Sequence, residues 1–147
     1  MFWYRAAARL GDRAAQCNLG YCCLAGIGLE ADEKEAVEWL RASADQGWPR
    51  ALDLLGDCYA RGRGVEKDPA HAAELYRKAA DAGYAPAQYD LARCYETGFG
   101  LLRDRKLALE YYRKAAEQGH DQAGKRLARL NGLLPGMLDQ VKKLFRS

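Results

Sequence analysis

Residues 49–84 read PRALDLLGDCYARGRGVEKDPAHAAELYRKAADAGY and residues 85–120 read APAQYDLARCYETGFGLLRDRKLALEYYRKAAEQGH; the two stretches are identical at 15 of 36 positions. Unrelated sequences of average composition would match at roughly two or three. The same step extends outward: Gly11, Gly47, Gly83 and Gly119 fall 36 residues apart, as do Leu19, Leu55, Leu91 and Leu127, and Ala15, Ala51, Ala87 and Ala123. A fixed period of this length marks stacked units, each too small to bury its own apolar face.

Within a unit the apolar residues keep helical spacing in both halves and never alternate as in a strand. Ala51, Leu55 and Tyr59 form one stripe, and Ala72, Leu75, Tyr76 and Ala79 form a second. Between them Gly62-Arg63-Gly64 offers two residues that tolerate the positive backbone angles of a tight reversal. Asp68 takes the position of an N-cap, Pro69 that of the first helical residue, and Gly83 that of a left-handed C-terminal cap. In the preceding unit Asp32 and Glu35 are spaced as a capping box, and Gly26 and Gly28 mark the turn. Each unit therefore reads as two antiparallel helices.

The pattern Ala51-x3-Leu55-Gly56-x2-Tyr59-x2-Gly62-x-Gly64-Val65-x2-Asp68, continued by Ala72 and by Tyr76-Arg77-Lys78-Ala79-Ala80-x2-Gly83, resembles the Sel-1-like repeat, a relative of the tetratricopeptide repeat. The third unit repeats it through Leu91, Tyr95, Gly98, Gly100, Asp104, Ala108, Tyr111 to Ala116 and Gly119. Departures are compatible in size: Cys23 replaces a tyrosine, Ala92 and Ala128 replace the small glycine, and Leu101-Leu102 replaces the valine-led turn. The resemblance implies an all-α, right-handed α/α superhelix of antiparallel helix pairs, a single domain over residues 1–147. Its parts would be the second helix of a partial repeat over 1–12, full repeats over 13–48, 49–84 and 85–120, and a degenerate repeat over 121–147 closed by a capping helix.

Both ends are atypical. Trp3 to Gly11 matches only the second helix of a unit, so Phe2, Trp3 and Tyr4 are expected on an uncovered stacking face, as in a trimmed chain, a self-association contact or a surface docked onto a neighbouring segment. After Leu130 the run Asn131-Gly132-Leu133-Leu134-Pro135-Gly136 breaks the helix. A last helix over Met137 to Arg146 would place Leu138, Val141, Leu144 and Phe145 on one face. A cap over the last repeat is the favoured reading; a short basic helix for a membrane or partner is the alternative.

Composition excludes several function classes. Apolar residues make up 49% of the chain and charged ones 29%, a balance foreign to disordered or low-complexity sequence. No run approaches the roughly 20 apolar residues of a membrane span, and no signal peptide is visible, which points to the cytoplasm. The net charge of +3 is concentrated after residue 121, where six Lys or Arg face Asp139. That cluster alone would attract nucleic acid, which makes nucleic-acid binding improbable.

Catalytic chemistry has little to work with. His71 and His120 occupy ordinary repeat positions, and the paired turn glycines join helices, following no strand as a phosphate loop would. Cys17, Cys22, Cys23, Cys58 and Cys94 form no CxxC motif and have no histidine at metal-ligand spacing. Cys22, Cys58 and Cys94 share one register and should stack about 8 to 10 Å apart, beyond disulfide reach. They read as small buried apolar residues of a reducing compartment, with redox or metal function the minor alternative. No catalytic residue, cofactor or metal site is expected.

The resemblance implies that first helices line a concave inner wall where a protein or peptide segment binds. Residues off the buried stripe would face it: Asp53, Asp57 and Arg61 in the second unit, with Cys17, Tyr21 and Leu24, then Tyr89, Arg93 and Glu96, then Lys125 and Arg129 in the others. This wall runs from apolar through acidic to basic, suiting a segment of matching polarity, or it is a row of merely solvated positions. The expected function is a non-catalytic adaptor or scaffold. The alternative is an accessory, small-ligand-binding or enzymatic protein without a recognisable active site.

Overall fold

Asp68 and Pro69 start a helix for local reasons. The Asp68 carboxylate accepts the His71 N–H at 3.1 Å, and Pro69 sits where the helix needs no amide donor. The same geometry recurs at Asp12, Asp32 and Asp104, whose carboxylates accept from Ala15, Glu35 and Leu107. The computed structural model of the chain describes residues 2–28, 31–132 and 143–144. Its helices run in the order α1 (Phe2–Arg9), α2 (Arg13–Ala25), α3 (Glu33–Asp45), α4 (Pro49–Arg61), α5 (Pro69–Asp81), α6 (Ala85–Thr97), α7 (Arg105–Glu117) and α8 (Asp121–Leu130). No strand occurs among the described residues. Consecutive helices pack on one another from α1 to α8, and α2 also touches α4, so the chain is an all-α solenoid.

The capping box expected at Asp32 and Glu35 forms only in half. Asp32 caps Glu35, but its own N–H donates to the Cys23 carbonyl at 2.9 Å, and Asp68 and Asp104 donate likewise to Tyr59 and Tyr95. With that donor satisfied across the turn, the Glu35 carboxylate is free to accept from Arg5 at 3.0 Å and Trp39 at 3.3 Å. Each second helix is thus tied at its start to the end of its own first helix.

The turn glycines carry the contact between units. Gly64 and Gly100 lie at φ +74°, and a Cβ on either would run into the backbone carbonyl that opens the previous second helix, that of Glu33 or Pro69. Glycine is required there twice over, by backbone angle and by space. Second helices end differently, at Gly47, Gly83 and Gly119, in Schellman turns: the N–H of Trp48, Tyr84 and His120 returns to Ser43, Ala79 and Ala115.

The repeated alanine and leucine columns lie in the core, every member buried. Beside them, a Cβ on Gly56 would come within 2.7 Å of the Tyr76 ring, and one on Gly20 within 2.7 Å of Leu40, so glycine makes room for the second-helix side chain. Ala92 fills that column in the third unit, and there the Tyr112 hydroxyl goes to Glu96 instead of the column of Asp57. Tyr4 is 42% exposed, whereas the side chains of Phe2 and Trp3 and most of the expected helix over Met137 to Arg146 lie outside the described residues.

Candidate functional site

Two adjoining hollows open across the first helices. One, of about 290 Å³, lies between α4 and α6 and is lined by Asp57, Ala60, Arg61, Tyr76, Asp90, Arg93, Cys94, Thr97 and Phe99. The other, of about 150 Å³, lies between α2 and α4 and is lined by Tyr21, Leu24, Ala25, Leu54, Asp57, Cys58, Arg61 and Arg63. Asp57 and Arg61 line both, so the two hollows flank a shared α4 wall between Tyr21 on one side and Phe99 on the other. The i, i+4 step between them places both side chains on one face of α4.

The expected wall residues divide into groups. Tyr21, Asp57, Arg61 and Arg93 come together on these hollows. Tyr21 is 39% exposed and carries the Arg50 guanidinium over its ring at 5.0 Å. Lys125 and Arg129 are exposed on α8, outside the hollows, with Lys125 paired to Asp121 at 3.9 Å. Tyr89 is half-buried, stacked on His120 with ring centroids 4.8 Å apart and covered by Arg93 at 5.8 Å. Glu96 is no free acid: its carboxylate accepts from Tyr112 at 2.6 Å and forms an ion pair with Arg126. The hydrogen bond from Arg126 holds the Glu96 carboxyl below its ordinary range.

Asp53 departs from expectation. The spacing puts it on the open wall, but it is only 6% exposed, lying against Asp90 of α6, to which its carboxyl donates a hydrogen bond. Burial first, then Asp90, pushes the Asp53 carboxyl far above its usual range, and burial raises Asp90 as well. Tyr76, itself buried, donates its hydroxyl to Asp57 at 2.5 Å; burial and this acid keep the phenol protonated.

Asp90, Tyr76, Phe99 and Arg126 escaped sequence reasoning, which followed only the stripe within each helix. The missing signal is the spacing between units: Asp53 and Asp90 are 37 residues apart, one more than the period, so stacking one unit on the next brings them side by side. The histidines are engaged in packing. His120 Nδ1 accepts the Ala123 N–H at 3.1 Å, and His71 meets the Tyr59 ring edge-on with centroids 4.2 Å apart. All five cysteines are free and buried, and burial pushes Cys17 and Cys58 up to about 11 and Cys94 up to about 12.

Helix pairs of constant length, stacked through glycine turns, with hollows across the first helices, define a tetratricopeptide-like solenoid. The Sel1 repeat matches residues 1–12, 13–48, 49–84 and 85–120, and the chain belongs to the Sel1 repeat family. Among solved structures it is similar to a Sel1 repeat protein from Oxalobacter formigenes, with 47% identity over 87% of this chain and 96% of that one and a TM-score of 0.78. It is also similar to c5321, a protective antigen of uropathogenic Escherichia coli strains that displays an SLR fold, with 30% identity over 88% of this chain and 35% of that one and a TM-score of 0.54. Cysteine rich protein B of Helicobacter pylori shares the fold, with 23% identity over 82% of this chain and 86% of that one and a TM-score of 0.65. No curated protein matches the chain. Among the described residues, no helix is long and apolar enough to cross a membrane.

Proposed function

We propose that the chain is a non-catalytic protein-interaction adaptor that holds an extended peptide segment along its first helices. Sel1 repeat proteins are generally protein-interaction adaptors. The observation that carries the reading for this chain is the adjacency of the two hollows on either side of Asp57 and Arg61, with Tyr21 on one side and Arg93 and Phe99 on the other. Aromatic and arginine side chains around a partly desolvated depression are the residue types that anchor partners. Two hollows side by side suit a segment in extended form, with side chains entering each in turn. A reducing, cytoplasmic compartment suits the five buried thiols.

Catalysis has no support from the same groups. Cys94, the thiol nearest the larger hollow, is held protonated by burial, and both histidines spend their rings on packing. Arg61 and Arg93 are exposed, so reversing their charge should leave the fold intact. Peptides selected from a random library on the wild-type protein should bind Arg61→Glu/Arg93→Glu at least about tenfold more weakly by calorimetry, a loss of about 1.4 kcal/mol. Unchanged affinity in a variant with wild-type melting would place binding elsewhere.

A further inference from the structure

Three acidic side chains meet where α4 and α6 stack. The ligand oxygens of Asp53, Asp57 and Asp90 all lie within 4.8 Å of one another. Asp53 and Asp57 are one helical turn apart on α4, and Asp90 faces them from the next unit. A second observation distinguishes this group from a solvated acidic patch. Asp53 is more than nine-tenths buried, and its Oδ1 accepts no hydrogen bond from any group among the described residues. A buried carboxylate oxygen in that state is costly unless something positive answers it.

Nor does the repeat require these acids. The column of Asp53 holds Cys17, Tyr89 and Lys125 in the other units, that of Asp57 holds Tyr21, Arg93 and Arg129, and that of Asp90 holds Asn18, Leu54 and Arg126. The triad is therefore particular to the junction of the second and third units. Arg61 and Arg93 line the same hollow, but among the described residues no lysine or arginine forms an ion pair with any of the three carboxylates.

We propose that Asp53, Asp57 and Asp90 form a binding site for a hard divalent cation, with calcium the species that fits best. Calcium takes oxygen ligands at about 2.3–2.6 Å, so two oxygens on one ion lie at most about 5 Å apart, and the triad's spacing falls inside that limit. Tyr76, by donating to Asp57, fixes one ligand from outside, as partners of metal-bound carboxylates commonly do. The hollow supplies a path of entry from solvent and room for the waters that would complete the coordination. Because the ion would bridge α4 and α6, it would fasten the second unit to the third. The site shares Asp57 and the larger hollow with the proposed peptide groove, but its test reads cation binding alone and does not depend on a peptide.

The test is thermal melting of the whole chain at neutral pH with calcium, manganese or magnesium chloride, against choline chloride at equal ionic strength. Calcium should give a saturable rise of about 5 °C near 10 mM, absent from the choline control. Asp90→Asn and Asp57→Asn should abolish the calcium-dependent rise whatever their own melting temperatures, which keeps the test valid even if Asp53→Asn fails to fold. Substoichiometric manganese should selectively broaden amide signals around residues 53, 57 and 90. The assignment is overturned by no rise beyond the choline control, by an equal rise in Asp90→Asn, or by broadening centred on other acids. A rise with n-butylammonium but not with calcium would also overturn it, marking the triad as a receptor for an organic ammonium group.

Discussion

Glu96 shows how a repeat protein converts a surface position into a structural one. Its carboxylate joins Tyr112 on α7 to Arg126 on α8. Because its folded pKa is depressed, its contribution is present above the unfolded value near 4.3 and is lost as pH falls through the folded value. The melting temperature of Glu96→Gln should therefore lie below wild type at pH 7, with the gap narrowing as pH falls below the unfolded value; a gap independent of pH would assign the role to packing. The thiols give a second check at this scale. With Cys17, Cys58 and Cys94 held well above neutrality by burial, native protein at pH 8 should resist Ellman's reagent, and all five thiols should react once guanidinium unfolds it. Rapid labelling of native protein would contradict the burial. Residue roles of this kind are only partly legible in the sequence: the caps at Asp32 and Asp68 follow from local spacing, whereas the fate of Glu96 depends on Arg126, 30 residues away in sequence and brought to it by stacking.

Turns set the relation between helices, and the two glycine types differ in why they are needed. A Cβ on Gly83 meets nothing within 4 Å, so Gly83→Ala should cost only the left-handed backbone, about 1–2 kcal/mol. At Gly100 the Cβ would also collide with the Pro69 carbonyl, so Gly100→Ala should cost about 2–5 kcal/mol. Chemical denaturation of both variants checks the order, and equal losses would remove the steric part of the account. Helix existence and turn position were readable because apolar spacing, Asp-Pro starts and paired glycines all act within a few residues. The side of a helix that its neighbour covers was not, which is why Asp53 was expected on the open wall and Asp90 was overlooked.

Across the whole molecule the packing is a chain of neighbours. All the tryptophans lie in the first 48 residues, so indole fluorescence reports the leading units while circular dichroism reports every helix. Both signals should unfold together in the wild-type protein. In Gly100→Ala, which loosens the third unit, the dichroism transition should move to lower denaturant while fluorescence lags behind; a coincident shift of both would mean that the units unfold as one. The candidate site belongs to this scale too. Its hollows exist only between units, so a single repeat read alone contains neither the depression nor the acidic triad.

The tie from each Asp N-cap back to the end of its own first helix bears on mechanics. Stretched between its ends, the solenoid passes tension through one helix pair after another, and the backbone bonds from Asp68 to Tyr59 and from Asp104 to Tyr95 close each pair against the pull. Yielding would then come pair by pair. Each such event would release a 36-residue segment, about 120 Å of contour length, so pulling on the two ends should give force steps of that spacing.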